Sequence, residues 1–90
     1  MADITGRLLI VDDNKVNRLL LSRSVEMLGH SAEVAENGKL AMARLADASF
    51  DLLLLDIDMP EMDGFEVLEA LKADPALSDL PVIVTSSIEG

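Results

Sequence analysis

Cysteine is absent from the 90 residues. That excludes disulfides, thiolate metal sites and thiol nucleophiles, and it leaves the redox compartment open. Tryptophan and tyrosine are absent too, and the aromatics reduce to Phe50 and Phe65, so stacking on nucleic-acid bases is not available. No unbroken apolar run is longer than Leu52–Leu55, far short of the roughly 20 residues that a spanning helix needs. The N-terminus, MADITGR, has no basic-then-apolar export pattern, and a cytoplasmic location is expected. Positive charge is also scarce. Seven basic against seventeen acidic residues give a formal charge of −10. Such a surface repels a phosphate backbone, so direct nucleic-acid binding is not expected.

What is present is apolar. Half the residues are hydrophobic, so the chain is expected to be globular. Its length suits one domain, burying roughly 60–65% of the unfolded surface.

The apolar residues come in short runs that stop at acid. Leu8–Val11 stops at Asp12-Asp13, and Leu52–Leu55 stops at Asp56. Such runs suit buried parallel strands. Between them, Asn14 is placed to cap a helix with Lys15–Leu28 as its body. Val16, Leu20, Leu21 and Leu28 fall near one face, and Gly29 is a natural stop. Residues 31–35 alternate weakly, as a second strand. Glu36-Asn37-Gly38 is turn chemistry, and Lys39–Ala46 is a short helix with Leu40, Ala43 and Leu45 available for packing. After Asp56, Pro60 and Asp63-Gly64 prevent the strand from continuing. Phe65–Ala73 is helical, with Phe65, Leu68 and Leu71 near one face. Asp74-Pro75 breaks it, and Pro81–Thr85 is a fourth strand.

The order β-α-β-α-β-α-β implies an α/β fold with a parallel sheet and helices on both faces. Ligands of such sheets bind beyond the carboxyl ends of the strands. If strands one and three are neighbours, Asp12, Asp13 and Asp56 share a cleft. Crowded carboxylates repel, and a divalent cation relieves the repulsion. Oxygen ligands without sulfur or imidazole suit Mg²⁺, the metal of phosphoryl transfer. An aspartate can also be the nucleophile. The bland alternative, acids that cap helices and satisfy loop amides, is preferred for Asp12 or Asp13 alone. For the three together, the metal site is preferred.

Two motifs compete over 56–64. Asp56-Ile57-Asp58 resembles the nucleophile motif of haloacid dehalogenase-type phosphatases, but that family places it on the first strand. An EF-hand frame with Gly64 as the loop glycine makes Met59 and Ala70 the end ligands, and neither can serve.

The set IVDDN, ENG, LLLLDIDMPEMDG and PVIVTSS resembles the receiver domain of two-component response regulators over nearly the whole chain. Asn14 and Asn17-Arg18 after the acidic pair resemble receivers attached to hybrid histidine kinases or multidomain regulators. The resemblance implies a flavodoxin-like fold with strand order 2-1-3-4. It implies that Asp56 accepts a phosphoryl group from the phosphohistidine of a histidine kinase or phosphotransfer protein, with Mg²⁺ required. Asp12, Asp13 and Asp56 would hold the metal, together with the backbone carbonyl of Asp58. Ser86 would contact the phosphoryl group, with Thr85 as the alternative. His30 is expected to be a surface residue.

Receivers have five strands and five helices, and a lysine at the end of strand five. Here the lysines are Lys15, Lys39 and Lys72. Residues 1–90 are accordingly expected to be one incomplete receiver domain without the fourth helix, fifth strand and fifth helix. Either a homo-oligomer or swapped dimer through the open strand-four edge, or a monomer of only marginal stability, is then expected. The expected function is a regulatory phosphoacceptor rather than a turnover enzyme. The alternatives are a receiver-like interaction module without switching and an Mg²⁺-dependent phosphatase.

Overall fold

The computed structural model describes residues 6–56 and 64–85. Its elements run β1 (Arg7–Val11), α1 (Lys15–Met27), β2 (Ser31–Ala35), α2 (Gly38–Asp47), β3 (Leu52–Asp56), α3 (Gly64–Ala73) and β4 (Val82–Thr85). The four strands form one parallel sheet in the order β2-β1-β3-β4. This is the expected α/β architecture.

The apolar runs form the central strands because every residue in them finds cover. Leu9, Val11, Leu53 and Leu55 face α2 and α3, where Ala41, Leu45, Val67 and Leu71 close over them. Leu8 and Ile10 point the other way and pack with Val25 of α1, flanked by Leu21, Leu52 and Leu54. Side chains that alternate faces along a strand therefore require helices on both sides, and the structure supplies them.

The helix ends follow local chemistry. Asn14 Oδ1 accepts from the Asn17 amide at 3.0 Å, and Asn37 Oδ1 from the Leu40 amide at 2.9 Å. Each satisfies an amide that the first turn leaves without an intrahelical partner. Gly29 closes α1 with φ +92°. Its amide donates to the Glu26 carbonyl at 3.0 Å, and the His30 amide to the Val25 carbonyl at 3.2 Å, the paired bonds of a Schellman motif.

Three details depart from the sequence reading. On α1 the buried contact is made by Val25, while Val16, Leu20 and Leu28 are exposed. On α2, Ala41 and Leu45 face the sheet, whereas Leu40 is exposed. On α2 the step from Leu40 to Ala41 rotates the side chain by about 100°, enough to carry it from the flank to the sheet-facing side. His30 is half-buried rather than a surface residue. Its Nδ1 accepts from the Gly6 amide at 2.8 Å. That bond joins the amino ends of β1 and β2, at the opposite end of the strands from the acidic residues.

Candidate functional site

The strand order places β1 beside β3, so the chain winds outward from this pair in both directions. Val11 is in register with Leu55, so Asp12 and Asp56 are the next residues on neighbouring strands. Asp56 in turn is in register with Thr85. Parallel pairing brings all their carboxyl ends to one edge, at the switch point where open α/β sheets bind ligands.

Asp12, Asp13 and Asp56 converge there, each with a carboxylate oxygen within 4.8 Å of the others'. Asp12 and Asp56 are 5% exposed, and Asp13 lies open to solvent. A cavity of about 370 Å³ opens above them. Asn14, Asn17, Leu20, Leu21 and Thr85 complete its lining. One side of this cleft is thus apolar, supplied by the first turns of α1.

Asp12 is held at three points. Its amide donates to the Ala35 carbonyl at 3.1 Å. Its Oδ1 accepts from the Asn14 amide at 2.8 Å. Its carbonyl accepts from Arg18 Nη1 at 2.7 Å. Thr85 Oγ1 donates to the Leu55 carbonyl at 3.4 Å, which sets the hydroxyl beside the end of β3. Asp58 and Ser86, which the sequence also nominates, lie outside the described residues, as do Met59 and Pro60.

The donor set fits Mg²⁺. It is all oxygen, it is anionic, and it comes from rigid strand ends that leave one side open for water and a phosphate oxygen. Hard carboxylates confined to a small volume gain more from a divalent cation than from any neutral ligand.

The sequence reading missed how far α1 takes part. In the sequence, Asn17 and Arg18 point only to a receiver subtype. Asn17 lies four residues after Asp13, and Arg18 four after Asn14. Helical side chains lean toward the preceding turn. A residue one turn into a helix that starts at an acidic pair therefore reaches back over that pair, and this spacing was the available signal.

A doubly wound parallel sheet in the order β2-β1-β3-β4 places the fold in the flavodoxin-like class. Within that class the chain belongs to the response regulator receiver domain family, whose model matches residues 8–89. The family takes part in two-component signal transduction as regulatory phosphoacceptors. Among curated proteins, a gliding motility regulatory protein of Myxococcus xanthus is 40% identical over 82 residues, 91% of this chain but 11% of that protein. Among solved structures, the N-terminal domain of a response regulator receiver protein from Methanoculleus marisnigri aligns with a TM-score of 0.85 at 37% identity, covering 88% of this chain and 64% of that one. The response regulator protein TrrA of Thermotoga maritima, in complex with Mg(2+)-BeF, aligns with a TM-score of 0.84 at 32% identity. It covers 91% of this chain and 70% of that one. The chain thus spans a small part of the curated relative's length.

Proposed function

We propose that residues 1–90 act as a receiver module in which Asp56 is the phosphoryl acceptor. The observation that carries this reading is the convergence of Asp12, Asp13 and Asp56 within 4.8 Å at the carboxyl ends of adjacent strands. A carboxylate oxygen of Asp56 attacks the phosphorus of a phosphohistidine. The P–N bond breaks, and the imidazole nitrogen leaves with the electron pair. The product is an acyl phosphate on Asp56, which water later hydrolyses. Asp12, Asp13, Asp56 and the backbone carbonyl of Asp58 would hold Mg²⁺, which would supply charge neutralisation on the transferred group. Thr85, already beside Asp56, or Ser86 contacts the phosphoryl oxygens.

The donor is a histidine kinase or phosphotransfer protein of the cytoplasm. Leu20 lines the cleft and is exposed, and with the exposed Val16 and Leu19 of the same helix it offers such a partner apolar surface on α1. Assembly with a second copy belongs to the same proposal. β4 is an edge of the described sheet, with Ile83 and Val84 about half exposed, and an open edge pairs readily. Light scattering across a concentration series tests this, and a mass that stays monomeric refutes it.

The phosphoacceptor reading is tested by incubating the chain with Mg²⁺ and a small acyl-phosphate donor, then measuring intact mass. One phosphoryl group should appear, and it should be absent from Asp56→Asn. A parent that takes up no phosphoryl group, or a variant that takes it up equally, refutes the assignment. Uptake by neither chain favours an interaction module without switching.

A further inference from the structure

We infer that Arg18 is a positioning residue for the cation site, fixing the Asp12–Asp13 peptide, and with it the place of Asp13 beside Asp12 and Asp56, by clamping the Asp12 carbonyl. The inference rests on the reading of Asp12, Asp13 and Asp56 as an Mg²⁺ site.

Arg18 is half-buried, and Nη1 lies 2.7 Å from the Asp12 carbonyl oxygen. That carbonyl has left the strand ladder, because β1 ends at Val11. It belongs to the turn that carries Asp12 and Asp13 from the sheet toward α1. Without Arg18, two holds remain, the amide bond to Ala35 and the Asx bond from Asn14. Both lie on the amide and side-chain ends of Asp12. Neither fixes the peptide plane between Asp12 and Asp13, and that plane sets where the Asp13 side chain leaves the backbone. The guanidinium does fix it.

Arg18 also faces the neighbouring turn across a cavity. With Ala35, Glu36 and Arg44 it lines a second cavity, of about 190 Å³, on the β2 side of α1. The same side chain therefore touches the metal-site turn, through its bond to Asp12, and borders the cavity beside the turn that starts α2. A guanidinium suits this role because it stays charged and presents several donors in a rigid plane.

The sign of its effect makes the inference testable. As a mere cation, Arg18 would repel Mg²⁺, and its removal would tighten binding. As a positioning residue it would do the reverse, since residues that orient ligands typically change metal affinity by about 10–100-fold.

The experiment is calorimetric titration of Mg²⁺ into the parent and Arg18→Met, at fixed ionic strength, with a thermal melt of each in chelator. Methionine retains much of the aliphatic stem and deletes every donor. The expected result is Mg²⁺ binding weakened by about tenfold, with amide NMR shifts in the metal-free variant confined to residues 12–18 and 35–37. Unchanged or tighter Mg²⁺ binding overturns the inference. If Arg18→Met gives no cooperative melt, Arg18→Leu decides, because it too deletes every donor while filling the site with a different apolar side chain. Weaker binding there supports the inference, and equal binding overturns it. A parent that binds no Mg²⁺ refutes the metal-site reading, and this inference falls with it. A parent that binds Mg²⁺ alongside an indifferent variant refutes the role of Arg18 alone.

Discussion

Asp12→Asn should make the metal-free protein more stable while weakening its response to Mg²⁺. The substitution removes one charge and retains the geometry. Asn still offers Oδ1 to the Asn14 amide, a bond of 2.8 Å in the parent, and the backbone bonds to Ala35 and from Arg18 do not depend on the carboxylate. Charges 4.8 Å apart, the outer limit of this cluster, repel by roughly 3.5 kcal/mol at an effective dielectric constant of 20 and by roughly 0.9 kcal/mol in water. Asp13 is open to solvent, so its pair with Asp12 lies near the lower figure. Asp56 is as buried as Asp12, so their pair lies higher, before small movements and counterions relieve it. A net gain of about 1–2 kcal/mol is expected, equivalent to a rise in melting temperature of about 5–15 °C for a domain of this size. The assay is a thermal melt followed by circular dichroism, in chelator at neutral pH and low ionic strength. Adding Mg²⁺ at a hundred times its dissociation constant should stabilise the parent by about 2.7 kcal/mol and the variant by much less. A variant that melts at or below the parent in chelator refutes the claim that the acid cluster is held together against its own repulsion.

The other predictions concern the scaffold. Leu53 is fully buried between strands and helices, so Leu53→Ala should lose about 2–5 kcal/mol, read from the shift in a urea denaturation midpoint at unchanged slope. Asn37→Ala should lose about 1 kcal/mol by removing the cap on the Leu40 amide, and Asn37→Asp should restore most of it. Gly29→Ala should lose about 1–2 kcal/mol from the left-handed backbone alone, because nothing lies within 4 Å of the added methyl. A loss in Gly29→Asn as large as in Gly29→Ala would show that φ is not the cause.

Much of this molecule was legible in its sequence because the determining signals are local. A run such as Leu52–Leu55 is apolar at successive positions, so both faces must be covered, which already implies a parallel sheet between helix layers. Asn14 and Gly29 act within four residues of themselves, and their roles as helix start and stop signals follow from side-chain and backbone chemistry alone, whereas Asn37, legible as turn chemistry, proves to cap α2 as well. The acidic endings of two such runs marked the candidate site for the same reason, since charge at the end of a buried strand must either find a partner or serve a ligand.

Tertiary structure decided what depends on long-range register. That Asp56 lies beside Asp12 follows from β1 pairing with β3 rather than with any other strand. The choice among α1 residues went to Val25 and Leu21 because the helix axis is set by the sheet beneath it, not by the helix's own apolar stripe. His30 bonds to Gly6 across 24 residues, a contact that no local window contains. Arg18 is the intermediate case. Its spacing from Asn14 was visible in the sequence. Its use became visible only once the turn after β1 had brought the Asp12 carbonyl within 2.7 Å of its guanidinium. Local propensity sets which backbone states are cheap, and the packing of the whole sheet sets which polar groups finally meet.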